Sequence, residues 1–356
     1  MKQTILFTGG HHNSSLVIAK LLKKQGYSVA WIGAKFATSK DKNLSAEYLE
    51  ITQNNIPFFA MKTGKFYRHL NPFECLKIII GFFQSLIYLR HLKPALIVSF
   101  GGYIAVPVVL AGWLLGIPSI THEQTVVAGW ANKALTPFVK RILLTHPSSV
   151  TNFPTSKAIV VGLPIEEELQ DVKCIKKFTP PLLFITCGKQ GSHVINKIIF
   201  PLVPELIKHF TVVHQTGSNS IYKDIDKARR LKESLGDLKN RYFPASYYFG
   251  KEFATLLTSA KIVISRSGAH TCYKLALLKK SSILVPIPWV SHNEQMANAL
   301  LTQKYAPTII IEEKNLTPTV LLDAISKVRQ IKLTTGTASV TPDASNKIIQ
   351  VIHEYL

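Results

Sequence analysis

Several short polar runs carry the side-chain types that bind charged ligands or move protons. The first is Thr8-Gly9-Gly10-His11-His12-Asn13-Ser14-Ser15. Paired glycines let a ligand approach the backbone, and a helix starting there presents its N-terminus to negative charge. His11 stands at that entrance, where the helix dipole favours the neutral imidazole that a general base needs. A loop histidine that only caps the helix or stays solvated is the other reading of the same residues. The run is not GxGxxG, so dinucleotide binding is not favoured. A second group joins Ser99-Phe100-Gly101-Gly102-Tyr103 to Gly116-Ile117-Pro118-Ser119-Ile120-Thr121-His122-Glu123-Gln124. It sets a histidine, a carboxylate and an amide at the end of an apolar strand, where they could bind sugar hydroxyls. The alternative is a polar strand end whose groups bond one another.

The second half has its own set. Cys187-Gly188-Lys189-Gln190-Gly191-Ser192 can cradle a phosphate, with Lys189 adding a positive charge. Ser265-Arg266-Ser267-Gly268-Ala269-His270-Thr271 runs into a helix and suits a diphosphate, or is an ordinary helix start. His292-Asn293-Glu294-Gln295-Met296-Ala297-Asn298-Ala299 follows Val285-Pro286-Ile287-Pro288, and its polar groups either read a sugar or face solvent. Of the cysteines, Cys75, Cys174, Cys187 and Cys272, none has zinc-like spacing; they read as small buried residues in a reducing compartment.

The elements that must position these runs alternate strand and helix, so the fold class is α/β. Thr4 to Phe7 reads as a strand, Leu16 to Gln25 as a helix, and Tyr27 to Ile32 as the next strand. The unit recurs half a chain later. Leu182 to Thr186 is a strand, Val194 to His209 a helix bent or interrupted by Pro201 and Pro204, and Thr211 to Gln215 a strand. Ala95–Phe100, Ile117–Thr121, Ile142–Thr145 and Ala158–Val161 read as further strands before Cys174–Pro181, a linker. Ile262–Ser265, Ser282–Pro286 and Thr308–Ile311 are strands after it, and Ala344 to Tyr355 is a last helix with Asp343 as its N-cap. The chain's 356 residues suit two domains. Glycine turns at the carboxyl ends of parallel strands suggest two sheets whose turns face a shared cleft.

Composition narrows the partners. Lys plus Arg number 42 against 21 Asp plus Glu, a formal charge of +21, which calls for an anionic partner. The basic residues are scattered, without a basic tail or an aromatic-basic signature, so phosphate and a membrane surface are preferred over nucleic acid. Residues Pro72 to Leu92 are strongly apolar, with Lys62, Lys65 and Arg68 before them and Lys77, Arg90, His91 and Lys93 at their border. A core helix and an interfacial membrane patch both fit, and the charge favours the membrane. No stretch reaches the roughly 18 consecutive apolar residues of a spanning helix, and the N-terminus lacks the form of a signal peptide, so a cytoplasmic, membrane-peripheral protein is expected.

Taken in order, these runs resemble the peptidoglycan N-acetylglucosaminyltransferases, the MurG-type members of glycosyltransferase family 28. FGGYIAVPVVLAGWLLGIPSITHEQ together with SRSGAHT and HNEQMANA carries the resemblance. It implies a GT-B fold, two Rossmann-like domains facing a central cleft. Residues 1–163 would bind the acceptor and the membrane, 164–340 the nucleotide sugar, and 341–356 form a helix packing back on the first domain. It implies inverting transfer of N-acetylglucosamine from UDP-GlcNAc to an undecaprenyl-diphosphate-linked MurNAc-peptide, lipid I to lipid II. That step serves cell-wall synthesis, cell shape and division at the cytoplasmic face of the membrane. No metal and no cofactor is expected. By position, His11 is the catalytic base candidate, although a residue near His122 could take the proton. Tyr103, His122, Glu123, Gln124 and Thr125 fall on the acceptor side. Gly10, Lys189, Gln190, Gly191, Ser192, Ser267, Gly268, Ala269, His270, Thr271, Lys274, Gln295 and Asn298 fall on the donor side.

Several positions depart from the family. The first turn is shortened before Thr8, and Thr125 replaces an asparagine. Lys189 replaces a serine. Glu166 replaces the arginine of Gly-Asn-Pro-x-Arg, here Gly162-Leu163-Pro164-Ile165-Glu166. Lys274 replaces the glutamate that holds the ribose hydroxyls, which a lysine, having no acceptor, cannot do. The two reversals could compensate as a Glu166–Lys274 pair across the cleft, or signal another nucleotide-sugar donor, or mark a degenerate membrane-associated binding protein.

Overall fold

The computed structural model describes residues 3–10, 12–36, 44–64, 72–166, 169, 176–219, 221–290, 293–332 and 340–356. The chain forms two units, Met1–Ile165 with Asp343–Leu356, and Glu166–Pro342.

In the first unit the elements run β1 (Thr4–Thr8), α1 (His12–Lys24), β2 (Ser28–Gly33), α2 (Ala46–Gln53), β3 (Phe58–Ala60) and α3 (Pro72–Leu92). Then come β4 (Leu96–Ser99), α4 (Ala105–Leu114), β5 (Ser119–Glu123), α5 (Trp130–Leu135), β6 (Arg141–Leu144) and β7 (Ala158–Val160). The strands make one parallel sheet in the order β3-β2-β1-β4-β5-β6-β7. Parallel strands covered on both faces are apolar throughout, and β1 alternates accordingly. Ile5 and Phe7 enter one core with Leu16 and Trp31, while Leu6 enters the other with Ile32 and Val108. Ile348 and Ile352, at the far end of the chain, join the first of these cores and are fully buried.

The second unit repeats the plan with β8 (Leu182–Thr186), α6 (His193–His209), β9 (Thr211–Gln215), α7 (Asp224–Glu233), β10 (Tyr242–Ala245) and α8 (Gly250–Ser259). It continues with β11 (Ile262–Ser265), α9 (Ala269–Leu277), β12 (Ser282–Leu284), α10 (Glu294–Tyr305), β13 (Thr308–Ile310) and α11 (Pro318–Val328). Its parallel order is β10-β9-β8-β11-β12-β13. In each sheet the winding direction reverses beside the first strand, β1 or β8. That is the switch point where open α/β sheets bind ligands. The last helix, α12 (Ala344–His353), belongs to the first unit and packs against α1.

Some elements differ from the expectation. α1 begins at His12 rather than Leu16, so the first turn is tighter. β5 begins two residues late and takes His122 and Glu123 into the strand. α6 is one helix through Pro201 and Pro204. Each proline removes a backbone donor, but burial of Ile199, Leu202, Val203, Leu206 and Ile207 holds the helix against the sheet. Asp343 does not cap the backbone of α12; its carboxylate accepts from the Asn346 amide at 2.6 Å. Cys187 and Cys272 are buried, whereas Cys75 is only half-buried; Cys174 lies outside the described residues.

α3 settles the choice between a core helix and an exposed one. Phe73, Leu76, Ile80, Phe83 and Ile87 are all exposed. Their spacing of three and four residues makes a single stripe along the helix. Leu86 and Leu89 face inward, toward α4. By length and composition α3 could also cross a membrane.

Candidate active site

At the carboxyl end of β1, Gly9 takes φ +125°, and a Cβ there would lie 2.7 Å from the Gly101 carbonyl oxygen. The Gly10 amide donates to that same oxygen at 3.0 Å. The turns after β1 and β4 thus interlock backbone against backbone, a contact that only glycine permits. The first turns of α1 and α4 open beside them. α4 follows Ile104 with no side-chain cap, which leaves amide donors for an anion.

Around this turn, Ser14 donates to the Pro164 carbonyl at 3.0 Å, and His12 Nε2 lies 3.2 Å from Glu50. His11 lies outside the described residues. Tyr103 is half-buried, and burial together with the nearby Glu47 charge raises its phenol pKa. Glu47 itself is a buried carboxyl that accepts from Trp31 Nε1 at 2.7 Å. Its pKa is raised because burial outweighs that bond and the attraction of His12.

The His-Glu-Gln segment is buried. His122 Nε2 is 2.9 Å from the Gly162 carbonyl, so that nitrogen carries the proton, and the ring lies against Phe100. The Glu123 carboxylate accepts from the Gly129 amide at 2.8 Å, Asn132 Nδ2 at 3.0 Å and Thr125 Oγ1 at 3.0 Å. Thr125 Oγ1 also lies 2.5 Å from the Val127 carbonyl, so its single proton is shared between that oxygen and Glu123, and Gln124 is buried beside it. These side chains shape the loop of residues 124–129 from within.

The second unit builds a comparable turn. Gly188 and Gly191 both take φ +76°, and Gly217 takes φ +94°. A Cβ on Gly191 would sit 2.0 Å from the Thr216 carbonyl oxygen, so the turns after β8 and β9 also meet backbone to backbone. Gln215 Nε2 holds the Gly188 carbonyl at 2.8 Å, and Ser218 holds that of Lys189 through its amide at 2.9 Å. Ser192 caps α6, and its hydroxyl accepts from Arg266 Nε at 3.1 Å. Lys189 is half-buried with its ammonium 5.8 Å from the Tyr247 ring, and burial lowers its pKa. Gln190 is exposed.

α9 begins after Gly268 with no side-chain cap at its opening turn. Ala269, His270 and Thr271 are half-buried at its opening turn. Asn298 Nδ2 fixes the Ser267 carbonyl at 3.2 Å, and Gln295 accepts from the Ile287 amide at 3.0 Å. Ser267 Oγ and Asn298 Oδ1 are buried with no hydrogen-bond partner among the described residues. Such orphans cost about 1–3 kcal/mol each and point to water or a ligand completing them.

The two reversed charges meet. Lys274 Nζ lies 3.0 Å from Glu166 Oε1 and 2.8 Å from Oε2. The expectation placed this pair across the cleft, but both residues belong to the second unit.

Two further features were not foreseen. Arg266 is buried, paired with Glu313 at 2.5 Å, and donates to the Val285 carbonyl, so it braces the α6 cap from beneath. A polar chain runs from His193 through Asp224 and Asn196 to His214 and Tyr242, each link between 2.9 and 3.0 Å. Asn196 also holds the Thr216 carbonyl at 2.8 Å, which fixes the Gly191–Gly217 contact. Neither shows a sequence pattern of its own, since partners lie up to 74 positions apart. Among the described residues, no group of three or more His, Cys, Asp or Glu is arranged to hold a metal ion.

Comparison with known proteins gives the family. The glycosyltransferase family 28 N-terminal domain matches residues 7–144, and the family's C-terminal domain matches 182–354. The UDP-N-acetylglucosamine–N-acetylmuramyl-(pentapeptide) pyrophosphoryl-undecaprenol N-acetylglucosamine transferase of Clostridium kluyveri is 32% identical over the full length of both chains. Its namesake in Clostridium botulinum is 30% identical, covering 98% of this chain and 97% of that one. Among solved structures, MurG of Acinetobacter baumannii aligns with a TM-score of 0.72 at 23% identity over 99% of each chain. The UDP-GlcNAc 2-epimerase of Methanocaldococcus jannaschii aligns at 0.62 and 12% identity, covering 99% of this chain and 100% of that one, a likeness of fold.

Proposed function

The chain belongs to glycosyltransferase family 28, and from that membership we propose that it transfers N-acetylglucosamine from UDP-GlcNAc to an undecaprenyl-diphosphate-linked N-acetylmuramyl-peptide. The observation that carries the reading is the recurrence, in both units, of glycine turns locked backbone to backbone at the switch point of a parallel sheet, beside uncapped helix starts. Such turns offer amide donors to a diphosphate, and both substrates carry one.

In this reading the second unit holds the donor. The turn of residues 188–191, Lys189 and the amides opening α9 take the diphosphate, while Ser267, Gln295 and Asn298 shape the pocket around the nucleotide sugar. The first unit holds the acceptor, its diphosphate at the Gly9–Gly10 and Gly101–Gly102 turns. His11 accepts the proton of the acceptor hydroxyl, whose oxygen attacks C1 of the sugar with inversion. The C1–oxygen bond to the diphosphate breaks and its electron pair leaves with UDP. Fixed amides and Lys189 stabilise the charge that collects there, so the step requires no metal and no cofactor.

The α3 stripe is the membrane contact. Phe73, Leu76, Ile80, Phe83 and Ile87 are exposed, and so are Trp113 and Leu114 of α4, the helix against which α3 packs. Lys77, Arg90 and Lys93 and the charge of +21 suit anionic lipid. The protein then sits peripherally on the cytoplasmic face, where it supplies wall precursor for cell shape and division.

The test is calorimetric titration with UDP and UDP-GlcNAc, followed by transfer to a lipid I analogue. Binding of both, and transfer lost in His11→Ala with donor affinity retained, is expected. No binding of either nucleotide by the native chain refutes the reading.

A further inference from the structure

We propose that Glu313 is the positioning residue of the donor-phosphate turn, holding Arg266 where its guanidinium fixes the Ser192 cap of α6. The assignment rests on the donor reading above, which puts a diphosphate at that turn, and adds the residue that keeps the turn in shape.

The geometry starts from the order of the strands. β8, β11, β12 and β13 lie side by side and run the same way. Past their carboxyl ends stand Ser192, Arg266, Val285 and Glu313, and the Arg266 side chain reaches the other three. Its Nε donates to Ser192 Oγ at 3.1 Å, one terminal nitrogen donates to the Val285 carbonyl at 3.1 Å, and the other lies 2.5 Å from Glu313. A guanidinium is planar and carries its donors in a fixed fork, so three bonds in three directions leave it one orientation. One side chain thus clasps the loops after four neighbouring strands, along the edge at which open α/β sheets bind ligands.

Each end of the clasp is anchored. Glu313 stands two residues past Ile311, whose amide donates to the Leu284 carbonyl at 2.9 Å, and opens the short 3-10 turn Glu313–Asn315. The Leu316 amide closes that turn on the Glu313 carbonyl at 3.2 Å, and the Leu316 side chain is buried in the core. Lys314 pairs with Glu312 at 2.9 Å, which leaves the Glu313 carboxylate to Arg266. At the other end, Ser192 Oγ accepts from the Ile195 amide at 3.5 Å as well as from Arg266, so one oxygen both caps α6 and ends the clasp. Ser192 adjoins Gly191, whose backbone is locked against Gly217. A shift of the guanidinium therefore passes to the phosphate turn through a single hydroxyl.

Charge explains why the anchor is a carboxylate. Arg266 is 8% exposed and the Glu313 side chain 15%. A guanidinium so enclosed needs a counter-charge, and a neutral partner would leave it uncompensated and free to turn toward another acceptor. Its charge is felt inside the turn. Burial pushes the Cys187 thiol up to about 11, against the pull of the Arg266 charge and of the Arg266 backbone. Glu313 thus sets both the place and the direction of a cation that stands behind the phosphate turn.

The test is isothermal titration of UDP into the native protein, Glu313→Gln, Glu313→Asp, Arg266→Met and Arg266→Met/Glu313→Gln, with donor and acceptor KM measured beside it. A loss of global stability alone does not move the dissociation constant of a variant that is still folded, so the titration reads the turn and not the fold. Glu313→Gln should weaken UDP by about tenfold and raise the donor KM to match, with the acceptor KM unchanged. Glu313→Asp keeps the charge and shortens its reach; it should weaken UDP by about threefold, and it carries the test where the glutamine variant does not fold. Arg266→Met should weaken UDP at least as much as Glu313→Gln. On that background Glu313→Gln should add less than about twofold, because the residue through which Glu313 acts is gone. Native UDP affinity in both Glu313 variants, or the full effect of Glu313→Gln persisting without Arg266, overturns the assignment and leaves the donor reading standing. No UDP binding by the native protein overturns the donor reading and this assignment with it.

Discussion

The α3 stripe gives a prediction whose size follows from exposure. Phe83 is 59% exposed and Ile87 66% exposed on the outer face of the helix. Full burial of such side chains stabilises by about 1.5–3 kcal/mol each. Moving the exposed part of each into lipid is then worth about 1–1.5 kcal/mol, roughly tenfold in partitioning. Phe83→Ser/Ile87→Ser should lower the vesicle partition coefficient by about ten- to a hundredfold, since the two side chains are i, i+4 neighbours whose effects need not add in full. Both side chains already face solvent, so the urea midpoint should stay within the change produced by about 0.5 kcal/mol. The assay is co-sedimentation with sucrose-loaded vesicles of zwitterionic lipid, with and without anionic lipid. Native binding should rise with the anionic fraction and fall with salt, because the basic border contributes about 1 kcal/mol per charge near the surface. The double variant should lose affinity for both vesicle types by the same factor. Unchanged partitioning would refute the membrane assignment. A native dimer that the variant dissociates, with vesicle binding intact, would identify the stripe as a helix–helix seam instead.

Three other outcomes follow from the site. Gly191→Ala forces a left-handed backbone, at a cost of about 1–2 kcal/mol, and drives a Cβ toward the Thr216 carbonyl; UDP affinity measured by calorimetry should fall more than tenfold, and native-like affinity would contradict the interlocked turns. Glu123→Gln places an amide donor opposite the Gly129 and Asn132 donors; it should destabilise by about 2–3 kcal/mol in urea unfolding and raise the acceptor KM with little change in donor Kd. His214 and His146 are buried, which lowers their pKa values to about 3 and about 4. Both stay neutral when folded and take a proton on unfolding at their ordinary value near 6.5. Their contribution is full above that pH and declines as the pH falls, at about 1.4 kcal/mol per unit for each histidine, until the folded values are reached. His214→Gln should flatten urea stability between about pH 6 and 4 by one proton's worth, and an unchanged slope would show that His214 does not carry it.

Much of this was legible because local rules decide it. β8, β9 and β11 begin and end where the apolar runs do. The glycine turns announced themselves because a backbone at positive φ needs glycine whatever surrounds it. The roles of the polar side chains were less legible. His122, Glu123 and Thr125 read as ligands for an acceptor, yet their bonds run to Gly162, Gly129 and Asn132, inside the fold. A carboxylate in sequence looks the same whether a sugar or a buried amide will meet it. Charge alone tilted α3 toward a lipid surface, since so apolar a run fits a core as well, and which of its faces is exposed was not written in the sequence.

By itself the sequence determined the α/β alternation, the duplicated strand–turn–helix unit, the surplus of positive charge and the family. Each is written in residues that act over a few neighbours or in the composition of the whole. Tertiary structure decided what depends on residues distant in the chain. It brought Glu166 to Lys274 across 108 positions, buried Arg266 on Glu313, and locked Gly191 against Gly217. The physical reason is common to all three. An ion pair or a backbone contact exists only where folding has brought both partners together, and neither partner alone specifies the other.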